Sequence, residues 1–349
     1  MDWLEDKALG WIHAPPTNKI DTHHHFVPSF YAEAVKKAGG KKEIDPLPCG
    51  YSYPHRRPQR LAHTILDTQK KQTDYETTGR QDCRFIRHSP RSLYPQGPRI
   101  IQLARKLNDY AAELRDKNPA NFGFFASLPD ILNIDAALSK IAYSLDTLHA
   151  DGVTIFTRYG DNHTYLGDAS LEPIWAELDR RKAIVFVHPT HPVDTTMVNP
   201  KLPQPALDYP HETTRAAMDM MLSGTKSKYP NCKVILSHAG GTLPYLVSRV
   251  ATPMRKAPDF ATQYRMGTTH DRIMEDFRSF YYDFALSTAP HVLDVALKSD
   301  FPYAPITAYP AFLEGLENYE MDGDLRDRIN YGNAASLIPR LRQDISERP

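Results

Sequence analysis

The chain has no formal charge imbalance: Lys plus Arg number 42 and Asp plus Glu number 42 among 349 residues. With no net basic field to draw in nucleic acid or an anionic membrane, a small-molecule partner is expected. Cysteine is scarce. Cys49, Cys83 and Cys232 are far apart, show no CxxC spacing and cannot all pair, which argues against a disulfide framework and for a reducing compartment. No apolar run approaches the roughly 18–20 residues that span a bilayer. The opening MDWLEDKALGWIHAPP is acidic and lacks the apolar stretch of a signal peptide. A cytoplasmic location is therefore expected. Internal repeats and low-complexity blocks are also missing.

What is present is a 41% hydrophobic content, enough for one large core, and a single domain over 1–349 is expected. From about residue 99 onward, helix-like and strand-like patterns alternate. RIIQLARKLNDYAAEL puts Ile100, Leu103, Leu107, Tyr110 and Leu114 on one helical stripe. EPIWAELDRRK reads as a helix with Pro173 near its start, where a missing amide hydrogen costs little. Strands are expected around 19–23, 122–128, 153–158, 183–188, 233–238 and 280–286. Repeated βα units with near-continuous apolar strands imply a parallel sheet covered by helices. The fold class is α/β, and a distorted (β/α)8 TIM-type barrel with two strands unresolved is the economical reading. Residues 51–98, rich in Arg, Gln, Thr and Pro, show no sustained period and read as an irregular insert of disordered type.

In such a barrel, side chains at the C-terminal strand ends stand above the packed core. Strand side chains alternate, so in KIDTHHH His23 and His25 share one face while His24 turns away. Two imidazoles at that separation can chelate one cation, although an isolated HxH is a weak signal. AIVFVHP ends at His188, which alone reads equally well as a satisfied core histidine, and His191 belongs to the loop beyond. KVILSHAGG ends at His238, and Gly240 and Gly241 let backbone or a ligand approach closely. Asp300, in SDFPYAP, occupies a position that also suits a turn or helix cap. Together, neutral nitrogens and a carboxylate at strand ends form a ligand set suited to zinc or another divalent transition metal, with a position left open for water or substrate. His24 is then a supporting or packing group.

In order and spacing, IDTHHHFVPSFY, VFVHPTHP, ILSHAGGTLPYL and SDFPYAP resemble the amidohydrolase superfamily, in its branch typified by aminocarboxymuconate semialdehyde decarboxylase. GVTIFTRYGDNHTYLGDASLEPIWAELDRRKAIVFVHPT is similar to fungal members that act on salicylate-type acids, 6-methylsalicylate above all. The resemblance covers residues 19–48 and about 99–340. It implies that His23, His25, His188 and Asp300 hold the metal, usually zinc and in some relatives manganese. It makes His238 the catalytic histidine, near the metal but not necessarily on it, with Asp300 as the other candidate proton donor. It also implies a homodimer and loss of carbon dioxide from a small aromatic acid, giving 3-methylphenol (m-cresol) from 6-methylsalicylate in polyketide secondary metabolism. Phe26, Tyr159 and Tyr303 are either lining for an apolar substrate slot or ordinary core.

Two stretches depart from the family pattern. The second strand belongs within 51–98, and nothing there aligns with it. HVLDVALK runs straight into SDFP, so the eighth strand is shortened or missing. Two other functions compete with decarboxylation. A metal-dependent hydrolase could open a lactone or amide with the same ligands, because a bound divalent ion lowers the pKa of water. An impaired, non-catalytic family member is the other reading.

Overall fold

The computed structural model describes residues 20–26, 28–37, 83–87, 98–119, 122–202, 204–256, 259, 262, 267–287 and 319–341. Short runs of β-branched and aromatic residues form its strands. In chain order these are β1 (Ile20–His25), β2 (Cys83–Arg87), β3 (Phe122–Ser127), β4 (Gly152–Phe156), a small pair β5 (Arg158–Tyr159) and β6 (Thr164–Tyr165), β7 (Ile184–His188), β8 (Lys233–Leu236) and β9 (Tyr281–Tyr282). Seven of them build one sheet in the order β1-β2-β3-β4-β7-β8-β9, with every neighbouring pair parallel. β5 and β6 form a separate antiparallel hairpin.

Parallel neighbours need crossovers, and helices supply them. The apolar stripe read from the sequence lies on α1 (Pro98–Lys117), where Ile100, Leu103 and Leu107 are buried and Tyr110 and Leu114 pack against the core. α2 (Ile134–Ala142) begins where the Asn133 side chain accepts from the Ala136 amide at 3.2 Å. α3 (Glu172–Arg180) carries Pro173 in its first turn, and buries Ile174, Trp175 and Leu178. α4 (Gln204–Leu222) and α5 (Leu243–Lys256) complete the cover over β7 and β8.

The two faces of the sheet have different partners, and this positions the site. Val185 and Val187 of β7, with Val234 and Leu236 of β8, pack into the cluster shared with the helices. Their alternating neighbours Ile184, Phe186 and Ile235 turn the other way, joining Ile20, Phe125 and the late residues Ala335, Ile338 and Leu341. With a period of two, His188 follows Ile184 and Phe186 on that second face. An apolar floor of this kind, each large side chain contributing about 1.5–3 kcal/mol on burial, fixes the backbone from which the strand-end residues project.

Four expectations need comment. Residues 83–87 form a parallel strand between β1 and β3, so the irregular region contains the second strand. Its Cys-Arg-Phe-Ile-Arg pattern is short and half polar, so apolar periodicity did not reveal it. The strand expected over 280–286 keeps only Tyr281–Tyr282 in the ladder, because the chain turns away at Asp283. The strand expected over 153–158 ends at Phe156, and Arg158 and Tyr159 belong to the hairpin. The stretch where an eighth strand would fall, 288–318, lies outside the described residues, as do 51–82 and 88–97.

Candidate active site and metal centre

Four buried histidines meet at the C-terminal ends of β1, β7 and β8. His23, His25, His188 and His238 are between 1% and 5% exposed. The ring centre of His23 lies 5.2 Å from His25, 5.3 Å from His188 and 5.1 Å from His238. His25 and His188 are 4.9 Å apart, and His188 and His238 5.8 Å. His23, His188 and His238 each offer one ligand atom such that all three atoms lie within 4.8 Å of one another. The cluster rests on Phe186, whose ring stands edge-on to His23 at 5.3 Å.

The local chain explains each position. A register shift between Asp21 and His24 lets the β1 end twist against β2, with His23 and His25 both directed into the buried site. His188 is locked by its ladder partner Phe156 and by the Thr157 amide, which donates to its carbonyl at 3.1 Å. His238 follows β8 in a turn where His238, Ala239, Gly240 and Gly241 all have positive φ, between 56° and 73°. A left-handed conformation is costly for a non-glycine residue, by roughly 1–2 kcal/mol. Two such residues in succession mark a place where the surroundings impose the geometry.

Hydrogen bonds decide which imidazole nitrogens face a cation. His23 Nδ1 lies 2.6 Å from Asp283 Oδ2, and His188 Nδ1 lies 2.8 Å from the Pro189 carbonyl. Both acceptors favour a proton on Nδ1, which puts the lone pair on Nε2. Buried imidazoles oriented from behind are the donor set that zinc or manganese takes in proteins, so these residues fit a divalent metal.

A polar cluster flanks the site. Arg158 bonds the buried Glu212, the Tyr165 hydroxyl donates to Glu212 at 3.1 Å, and Arg158 also donates to the His191 carbonyl. Burial pushes the Glu212 carboxyl up, while Tyr165 and Arg158 pull it down. Burial also lowers His191, whose Nδ1 lies 3.1 Å from Gln204 Oε1.

The structure thus brings together His23, His25, His188 and His238 from the residues read in the sequence. Asp300 and Tyr303 lie outside the described residues. Phe26 and Tyr159 belong to the core: Phe26 stacks on Tyr110 at 5.7 Å, and the Tyr159 hydroxyl accepts from the Phe156 amide at 2.8 Å. Sequence reasoning missed Asp283. Its place straight after the aromatic strand FYY was the available signal, since a carboxylate ending a buried strand demands partners.

A parallel α/β scaffold of TIM-barrel type with a histidine cluster at its strand ends defines the class. The chain belongs to the amidohydrolase family, whose profile matches residues 20–340. It is 42% identical to a 6-methylsalicylic acid decarboxylase of Penicillium expansum over 337 residues, covering 93% of this chain and 97% of that one. It is likewise 42% identical to the 6-methylsalicylic acid decarboxylase acuB of Aspergillus aculeatus, with the same shares covered. Among solved structures it resembles a dihydroxybenzoic acid decarboxylase from Polaromonas with bound manganese and an inhibitor. That match has a TM-score of 0.70 and 22% identity, and covers 92% of this chain and 96% of the other.

Proposed function

We propose that the protein is a metal-dependent, non-oxidative decarboxylase of an ortho-hydroxy aromatic acid, and that 6-methylsalicylate is its substrate. The observation that carries this reading is the buried histidine cluster, in which the rings of His23, His25 and His188 lie 4.9–5.3 Å apart and His238 stands beside His23 and His188, with one ligand atom of each of those three within 4.8 Å of the others. The 42% identity to proteins named for that substrate supports the choice of acid. His23, His25 and His188 are the proposed metal ligands, with Asp300 as the carboxylate among them. A divalent cation held by these residues, zinc or manganese, would supply the positive charge that stabilises developing negative charge on the acid.

The chain's own residues do the rest. The histidine-lined site excludes water and orients the ring. A protonated His238 delivers its proton to the ring carbon bearing the carboxylate, with Asp300 as the alternative donor. The bond to the carboxylate then breaks, its electron pair restores the aromatic ring, and carbon dioxide leaves. The product is 3-methylphenol, and no oxidant or reductant is needed. A cytoplasmic homodimer serving secondary metabolism is part of the same reading. Among the described residues no helix is long and apolar enough to cross a membrane.

A substrate panel tests the proposal. Metal-loaded protein should convert 6-methylsalicylate to 3-methylphenol, and 2-methylbenzoate, which keeps the methyl group and lacks the hydroxyl, should react at least 100-fold more slowly. Equal rates on both acids would contradict a requirement for the ortho hydroxyl. Ring opening of a phenolic lactone, with no conversion of any ortho-hydroxybenzoate, would replace the decarboxylase by a hydrolase. Conversion of neither would support an impaired family member.

A further inference from the structure

The carboxylate of Asp283 joins two parts of the site that are distant in sequence. Asp283 follows β9 and is buried, with its side chain and that of His23 each 1% exposed. Oδ2 lies 2.6 Å from His23 Nδ1. Oδ1 accepts from the backbone amide of His238 at 3.0 Å and from that of Ala285 at 2.9 Å. The Asp283 main chain adds two more links: its carbonyl accepts from the Ala239 amide at 2.7 Å, and its amide donates to the Leu236 carbonyl at 3.0 Å. One residue therefore holds a histidine of β1 and the left-handed turn that carries His238.

We propose that Asp283 is the positioning residue of this centre, setting the His23 tautomer that binds metal and the turn that presents His238. The assignment rests on the metal-centre reading above. It is motivated by the division of labour between the two oxygens. Amides held by Oδ1 need only an acceptor, which a neutral amide oxygen would also provide. Oδ2 asks for something different, an acceptor that keeps the proton on His23 Nδ1 and so leaves Nε2 basic. Carboxylates behind metal-binding histidines do this generally, and their loss weakens metal binding by roughly 10–100-fold.

Asp283→Asn separates the two tasks. The asparagine oxygen can continue to accept from His238 and Ala285, which places its amino group opposite His23 Nδ1. That nitrogen must then accept, the proton moves to Nε2, and the metal-binding lone pair is lost. A role confined to holding the backbone would survive the change.

The test compares Mn²⁺ binding by wild-type and Asp283→Asn protein, read by electron paramagnetic resonance, with circular dichroism confirming the fold. The expected result is a dissociation constant roughly 10–100-fold higher in the variant. Binding within twofold of wild type in a folded variant would overturn the assignment of Asp283 while leaving the metal centre standing. If wild-type protein takes up no Mn²⁺, the metal-centre reading falls and this assignment with it. A second measurement, independent of how any variant folds, uses metal-free wild-type protein. Its ¹⁵N spectrum, assigned for His23 by comparison with His23→Gln, should show the proton on Nδ1. A proton on Nε2 alone would overturn the proposal without recourse to any Asp283 variant.

Discussion

Arg158 and Glu212 form a buried ion pair, Nε to Oε2 at 3.2 Å, with side chains only 11% and 3% exposed. The pair ties the β5–β6 hairpin to α4, and through the His191 carbonyl it also holds the loop that follows His188. Burial alone disfavours the Glu212 charge, so the pair stands only while both partners remain. Arg158→Ala leaves that buried carboxylate with only the exposed Arg215 guanidinium, 3.9 Å away, as a cationic partner. Urea denaturation should show a loss of about 3–5 kcal/mol, the usual cost of breaking such a pair. A loss under about 1 kcal/mol would mean that solvent already screens the pair.

Removing the proposed ligands from the histidine cluster should lower metal content and spare the fold. In His23→Ala and His188→Ala, bound zinc or manganese measured by plasma mass spectrometry should fall below a tenth of the wild-type amount, with thermal unfolding still cooperative. Unchanged metal content in both variants would place the cation elsewhere. The same measurement on His238→Ala separates its two possible roles. Full metal content with turnover reduced by orders of magnitude assigns it to proton transfer, and lost metal makes it a ligand.

Gly241 has no space for a side chain. A Cβ there would sit 1.9 Å from the Pro210 carbonyl oxygen, and its φ is +66°. Gly241→Ala must therefore displace either α4 or the turn bearing His238. A drop of several degrees in melting temperature with at least a tenfold loss of turnover is expected. Wild-type turnover would show that the turn's position does not govern His238.

Away from the site, hydrogen bonds from Arg180 hold the Glu177 carboxyl down to about 2, with Arg181 adding to the effect and burial opposing it. A carboxylate with a depressed native pKa stabilises the fold above its unfolded value, and that stability is lost as pH falls towards the native value. The relevant window runs from about 4.5 down to about 2. Glu177→Gln should cost about 1 kcal/mol at neutral pH, as expected for a partly exposed pair. It should also flatten the stability curve through that window. An unchanged acid slope would show that the arginines give Glu177 no net advantage.

Much of the fold was legible because its strands are almost uniformly apolar and the helix of residues 98–117 repeats its apolar positions at helical spacing. The histidines were legible because each ends such a strand, where alternation assigns it a face. β2 was not, since its two arginines mask the pattern and its evidence is pairing with β1 and β3. Asp283 was not either. Its partners lie 260 residues away at His23 and 45 away at His238, and no local periodicity encodes such a contact. The aromatic residues Phe26 and Tyr159 show the converse: their chemistry suited a substrate slot, and packing claimed them.

The most direct measurement follows 6-methylsalicylate labelled with ¹³C in its carboxyl group, incubated with protein stripped by a chelator and then reloaded with zinc or manganese. The account predicts no turnover in the stripped protein. It predicts one labelled carbon dioxide released for each 3-methylphenol formed once either metal is restored. Labelled carbon dioxide released at the same rate without metal, or none released by fully loaded protein, would contradict it.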